Sequence, residues 1–254
     1  MNNSLTNIFN SCNYLLDNYP NAQETKEYLN SRITNSNFSF GYFPNLNNFS
    51  SISNIISEQE LINNNLLYSR SIEDHLGPRT IKQLHFEYFS LIIPFKDPYG
   101  NIVALVGRTL LDNKERESLK IPKYKNTSFK KGNYLFGLFE NKESIIENDM
   151  VYIVEGQFDV IKANSIGFNN VIALGTSHMT NYQFSTILRY TNNIILLLDN
   201  DEAGIKGRES IIKKYSKFAN IQNFYIPESY KDIDEYISTE NIKNFEDLSF
   251  QIQN

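Results

Sequence analysis

Three acidic segments in the second half of the chain have the composition of a metal-dependent site. They are Val151-Tyr152-Ile153-Val154-Glu155-Gly156, Ile194-Ile195-Leu196-Leu197-Leu198-Asp199-Asn200-Asp201 and Lys231-Asp232-Ile233-Asp234-Glu235. A carboxylate placed where a buried parallel strand ends points into the crevice at the carboxyl edge of a sheet, where open α/β folds hold ligands. Glu155 and Asp159 lie four apart across an expected strand-to-helix turn, with Gly156 allowing the sharp change of direction. Asp199 and Asp201 lie two apart, which on extended backbone puts both side chains on one side. Several carboxylates of this kind suit a hard divalent cation, and magnesium prefers a few carboxylate oxygens together with water and substrate phosphates. The chemistry suggested is metal-assisted phosphoryl transfer rather than acid/base work on a neutral substrate.

The elements that must position these acids are legible as β/α alternation from residue 151 onward. Strands are expected at Val151 to Val154, Val171 to Leu174, Ile194 to Leu198 and Asn223 to Ile226, with helices around Phe158 to Ser165, Asn181 to Tyr190 and Ala203 to Phe218. Short strands joined by crossover helices imply a parallel sheet. The first half is less regular. Pro20 and the spacing Asn21-x-x-Glu24 predict a capping box before a helix through Tyr28 and Leu29. Residues 34 to 54 read as irregular chain or short strands, and Gln59 to Asn65 and Thr80 to Leu84 as helical pieces. Leu91 to Phe95, the turn Asp97-Pro98-Tyr99-Gly100 and Ile102 to Leu110 predict a β-hairpin. Residues 112 to 133 read as a long polar, basic connection. The fold class expected is α/β, a parallel sheet flanked by helices and preceded by a smaller α+β basic subdomain. The boundary falls in the polar stretch Glu140 to Asp149, dividing the chain into residues 1–145 and 146–254.

Composition narrows the class. With 254 residues and 41% apolar content the chain can bury a sizeable core. One cysteine, Cys12, excludes an internal disulfide, and with three histidines it leaves no Cys/His cluster for structural zinc. No signal-like segment and no membrane-length apolar run is present, so a cytoplasmic location and no membrane partner are expected. The net charge of −5 is unevenly placed: residues 91 to 133 carry nine Lys/Arg against four Asp/Glu, residues 151 to 254 nine against thirteen. A basic segment coupled to an acidic one suits a protein that holds phosphates with one part and metal ions with another.

At this point the residues resemble a family, the catalytic core of bacterial and phage DnaG-type DNA primases. Val154-Glu155-Gly156-Gln157-Phe158-Asp159 resembles the V-E-G-x-x-D segment of the Toprim module, Asp199-Asn200-Asp201-Glu202-Ala203-Gly204 its D-G-D-x-A-G, and Asp232-Ile233-Asp234-Glu235 its D-P-D-E. In the first half, Phe40-Gly41-Tyr42-Phe43-Pro44 resembles I-G-Y-A-P. Ile93 to Gly100 with Gly107-Arg108 resembles F-P-I-R-D-x-x-G and G-G-R, and Pro122 to Asn126 with Lys131-Gly132 resembles P-K-Y-x-N-S and K-G. The matches run in the family's order from about residue 26 to 238.

The resemblance implies an enzyme that makes short RNA primers on single-stranded DNA from ribonucleoside triphosphates, by nucleotidyl transfer with magnesium or manganese as cofactor. Glu155, Asp159, Asp199, Asp201, Asp232 and Asp234 would be metal ligands, with Glu155, Asp199 and Asp201 at the centre of catalysis. Arg108, Lys123 and Lys131 would contact triphosphate or template phosphate, Lys96 stands where the family has Arg, and Asn126 would shape the loop. The family's zinc-binding and helicase-binding regions have no counterpart in this sequence, so a replicative helicase or a separate zinc-bearing protein is expected as partner in trans. The rival readings are a Toprim-type metal-dependent nuclease and a primase-like single-stranded DNA-binding protein without turnover.

Overall fold

The computed structural model describes residues 3–33, 35–74 and 77–252. They form two compact units, one of Met1–Ser31, Ser39–Phe95 and Asn101–Phe129, the other of Arg32–Phe38, Lys96–Gly100 and Lys130–Asn254.

The first unit opens with helix α1 (Asn3–Asn18), which the sequence analysis did not assign. Leu5, Ile8, Phe9, Cys12, Leu15 and Leu16 are all buried, and their spacing places them on one stripe. The asparagines between them are weak helix formers and hide that stripe from a propensity reading. The stripe faces strand β1 (Gly41–Tyr42), and a Cβ at Gly41 would stand 2.7 Å from the Cys12 Cβ, so only glycine permits the approach. Burial raises the Cys12 thiol pKa above its ordinary range, leaving it an inert core residue.

Helix α2 (Gln23–Arg32) follows a 3-10 turn over Pro20–Ala22. The expected Asn21/Glu24 capping box is not formed: Asn21 lies inside the 3-10 turn rather than at a helix cap, and its side-chain amide donates to Asn48 Oδ1 at 2.6 Å. After the short helix α3 (Ser50–Ser53), helix α4 (Glu58–Asn63) is capped by Ser57, whose hydroxyl accepts from Glu60 N–H. Strands β2 (Leu67–Asp74) and β3 (Gly77–Leu84) then form an antiparallel ribbon with Leu67 opposite Leu84 and Ser71 opposite Thr80. Thr80 to Leu84 is therefore strand, not helix. Ile81 and Leu84 are three apart, a helical spacing, yet on a strand they face opposite ways: Leu84 is buried at the ribbon's base and Ile81 is exposed.

Strands β4 (Leu91–Lys96) and β5 (Ile102–Arg108) form the expected hairpin. Its turn is closed by Gly100 N–H on the Asp97 carbonyl at 3.0 Å, and Gly100 takes a φ of 91°. The stretch read as a long connection contains helix α5 (Asn113–Leu119), begun by a reciprocal Asp112/Glu115 capping box, and strand β6 (Tyr124–Asn126). The sheet order is β1-β4-β5-β6.

The second unit is the expected parallel sheet. Helix α6 (Leu138–Asn148) occupies most of the polar stretch Glu140 to Asp149 and leads into β7 (Val151–Val154), α7 (Gln157–Asn164), β8 (Val171–Ala173) and α8 (Asn181–Ile187). These are followed by β9 (Asn193–Leu196), α9 (Glu202–Tyr215), β10 (Asn220–Tyr225), α10 (Ile233–Thr239) and β11 (Gln251–Ile252). The order is β11-β10-β9-β7-β8, parallel except for β11. Ile153, Ile172, Ile194, Leu196, Leu198 and Ile211 form the core between sheet and helices. The chain goes from β7 outward to β8, then returns to β9 on the other side of β7. That reversal opens a crevice at the carboxyl ends of β7 and β9. Among the described residues no helix is long and apolar enough to cross a membrane.

Candidate active site

Glu155 follows β7 and Asp199 follows β9, neighbouring strands with Ile153 in register with Leu196. The fold thus brings together acids that are 44 residues apart, at the crevice the topology opens. Asp199 N–H donates to Glu155 Oε1 at 3.4 Å. A Cβ at Gly204 would lie 2.1 Å from the Asp199 carbonyl oxygen and 3.0 Å from Glu155 Oε1, so a side chain there would push the start of α9 off both acids. Asp201 caps α9, its Oδ1 accepting from Gly204 N–H at 3.0 Å. Asp232 caps α10 in the same way, accepting from Glu235 N–H at 2.8 Å. The two acidic loops are tied by Asn200, whose N–H donates to the Lys231 carbonyl at 2.8 Å and whose side chain donates to the Tyr230 carbonyl at 2.9 Å.

Crowding of like charge is visible in the carboxyl groups themselves. Burial, then Asp199, push Glu155 up to about 7; burial, then Asp232, push Asp199 up to about 6. Asp159 is buried and raised well above the ordinary carboxylate range, first by burial and then by Asp232, Asp199 and Asp234. Its Oδ2 accepts from Gly156 N–H at 2.8 Å, closing the turn into α7. Asp234 is also buried and ion-paired with Arg32.

Two lysines stand at the same edge of the sheet. Lys231, which the sequence analysis did not single out, holds its Nζ 3.6 Å from Asp199 Oδ2 and 3.7 Å from Asp201 Oδ2. Its position directly before Asp232 was the available signal. Lys131 donates to the Gly175 carbonyl at 3.0 Å, and Gly175 N–H in turn donates to the Glu155 carbonyl at 2.9 Å. Gly175 has a φ of 81°, and the Lys131 side chain fills the space where its Cβ would be. Burial lowers the Lys131 ammonium below its usual pKa.

Among the described residues no three His, Cys, Asp or Glu side chains lie close enough together to hold an ion entirely by protein ligands. Magnesium does not need such a cage: it keeps several waters and takes one or two carboxylates plus substrate phosphates. Glu155 and Asp199, each raised by burial and by a neighbouring carboxylate, with an exposed lysine as counter-charge on Asp199, are a donor set that fits a hard divalent cation. Asp201 and Asp232 keep one oxygen each on a helix N-terminus and have a second for an ion. Asp159 and Asp234 are more fully engaged, one in a turn and one in an ion pair.

The remaining sequence-predicted residues have varied surroundings. In the second unit, Lys96 pairs with Glu140 at 3.0 Å and lies 5.0 Å from the Phe139 ring. In the first unit, Arg108 is 6% exposed and its guanidinium stacks on Tyr28 at 5.3 Å and Tyr124 at 5.1 Å, with Nη1 donating to Tyr124 Oη. Lys123, beside Tyr124 at the start of β6, is exposed, with its Nζ 5.8 Å from the Tyr124 ring. Asn126 ends β6, and its carbonyl accepts from the His85 ring at 3.0 Å.

Comparison with known proteins agrees with both units. A family described as "DNA primase catalytic core, N-terminal domain" matches residues 13–142, and a Toprim-like family matches residues 152–237. The DNA primase of Aquifex aeolicus is 32% identical over 238 residues, covering 89% of this chain and 44% of that protein. The DNA primase of Thermotoga maritima is 29% identical over 223 residues, covering 86% and 38%. The chain therefore spans less than half the length of these relatives. A crystal structure of the zinc-binding and RNA polymerase domains of the Aquifex aeolicus primase superposes with a TM-score of 0.73 at 28% identity, covering 98% of this chain and 61% of that one. The second unit is thus a Toprim-type sheet, and the chain belongs to the DNA primase catalytic-core family.

Proposed function

We propose that this chain synthesises short RNA primers on single-stranded DNA by metal-assisted nucleotidyl transfer. The observation that carries the reading is the convergence of Glu155, Asp199, Asp201 and Asp232 on one end of a parallel sheet, with Lys131 and Lys231 beside them. Carboxylates alone would repel a triphosphate; with cations bound and lysines alongside, the same edge attracts one.

Glu155, Asp199, Asp201 and Asp232 would hold magnesium or manganese, which supplies charge neutralisation and Lewis acidity at the triphosphate. Asp159 and Asp234, more engaged, would complete the ligand set by closing the loops that carry the others. Lys231 bridges the two aspartates of the D-x-D segment and would offer its ammonium to a phosphate oxygen. Lys131, held at the Gly175 carbonyl, presents its ammonium to the incoming phosphates. Glu155, raised to about 7 by burial and by Asp199, is a carboxyl that would give up its proton readily to a cation at neutral pH and stand with Asp199 and Asp201 at the centre of catalysis. In the first unit, Arg108 and Lys123 would meet template or triphosphate phosphates, Tyr124 fixing the guanidinium between them, while Asn126 shapes the loop. Lys96 supports the β4–β5 turn through Glu140. Single-stranded DNA, ribonucleoside triphosphates and a replicative helicase would be its partners.

Incubation with a mixed single-stranded template and labelled ribonucleotides, in magnesium and in manganese, tests the reading. Short template-dependent RNA that disappears in Asp199→Asn and in Lys123→Ala is the expected result. Template cleavage would replace it with a nuclease, and single-strand binding without turnover from a folded protein would reduce it to a binding protein.

A further inference from the structure

Arg208 lies two turns into α9 and is 1% exposed, the largest fully buried side chain described. Its Nη2 donates to the carbonyl of Leu198, the residue before Asp199, and its guanidinium carbon sits 4.5 Å from the centroid of the Tyr225 ring on β10. Nε and Nη1 are buried without a hydrogen-bond partner. A guanidinium removed from water with two nitrogens unpaired is costly, and an apolar side chain of similar volume would ordinarily pack there with less penalty. One ring face and one carbonyl do not offset that cost.

The compensating charge is close at hand. Leu198 leads directly into the Asp199-Asn200-Asp201 turn, and Gly204, one turn before Arg208, packs against Asp199 and Glu155. Burial lowers the Arg208 pKa; Tyr225 and then Glu155, Asp199 and Asp201 oppose that by favouring the charged form, and Arg208 in turn opposes the rise of Glu155. Lys231, a further cation near these acids, is exposed at the end of a flexible four-carbon stem. Arg208 is buried, with its guanidinium between the Leu198 carbonyl and the Tyr225 ring.

We propose that Arg208 is a positioning residue for the acidic cluster, a built-in counter-cation that stabilises the converging carboxylates before any ion binds. Its bond to the Leu198 carbonyl also fixes the peptide that aims Asp199. The inference rests on reading the acids as a site, but its test does not depend on primer synthesis.

The test is a thermal-unfolding cycle in chelator, using Arg208→Lys, Arg208→Gln and Asp199→Asn alone and combined. Lysine keeps the charge; glutamine keeps polarity and loses it. The expected result is that Arg208→Gln lowers Tm by on the order of 5 °C more than Arg208→Lys, that Asp199→Asn recovers much of this loss when combined with Arg208→Gln, and that millimolar Mn2+ raises the Tm of Arg208→Gln more than that of the wild type. Strictly additive losses, with the same Mn2+ shift in every variant, would overturn the proposal and leave Arg208 a packing residue. Coupling between Arg208 and Asp199 without any Mn2+ effect would sustain the counter-cation and instead refute the cation site.

Discussion

Asp199 N–H donates to Glu155 Oε1 at 3.4 Å, so the backbone of one acid stabilises the carboxylate of the other even as their charges repel. Repulsion and burial prevail, leaving the carboxyls near 7 and 6. In the unfolded chain both titrate near 4. The folded state therefore binds more protons than the unfolded state between about pH 4 and 7, and stability falls as pH rises through that window. In chelator, Tm is expected to decrease from pH 5 to pH 8, and Glu155→Gln with Asp199→Asn should flatten that slope. A pH series of thermal melts on both proteins checks it, and an unchanged slope in the double variant would contradict the assignment.

Asp232 and Asp234 are two residues apart but should fail differently. Asp232 keeps an oxygen for an ion, whereas Asp234 is buried against Arg32. Asp232→Asn is expected to weaken Mn2+ binding, measured by calorimetry, with little change in Tm. Asp234→Asn should lower stability by about 1–3 kcal/mol in urea unfolding, less than a wholly buried pair would lose because Arg32 is partly exposed.

Gly175→Ala tests the seat of Lys131. The new methyl would enter the space the lysine stem occupies, at a φ that favours glycine. Nucleotide KM is expected to rise about tenfold, the cost of one misplaced charge-assisted contact, on the order of 1.4 kcal/mol, with Lys131→Met giving a similar rise. A Gly175→Ala protein with wild-type KM would detach Lys131 from nucleotide binding.

Arg108→Lys should reveal what the stacking on Tyr28 and Tyr124 contributes. Lysine keeps the charge but loses the planar faces and the fork. Loss of about 1–2 kcal/mol in urea unfolding is expected from the two ring contacts, together with weaker single-strand binding. Tyr124→Phe, which removes only the hydroxyl acceptor, should fall between wild type and Arg108→Lys.

The second half of the chain was legible because its elements are simple: continuous apolar runs such as Ile194 to Leu198 are too short for helices and suit buried strands, and glycines at 156, 167 and 204 mark the turns around them. The first half was harder. Helix α1 carries a clean buried stripe obscured by asparagine, and Thr80 to Leu84 has helical spacing yet pairs as a strand because β2 supplies its ladder. Residues 112 to 133 looked like loop because α5 is too short and polar to show a buried face; only its capping box, Asp112 with Glu115, betrays it.

The sequence by itself determined which residues carry negative charge past the strands, and in what order, because strand, turn and acid are local neighbours. Tertiary structure alone decided which charges offset one another. Lys131 reaching Gly175, Lys231 between Asp199 and Asp201, Arg32 on Asp234 and the buried Arg208 behind Leu198 depend on which strands lie side by side and how α9 packs. Long basic side chains reach partners far away in sequence, and their burial depends on neighbours that local patterning does not name.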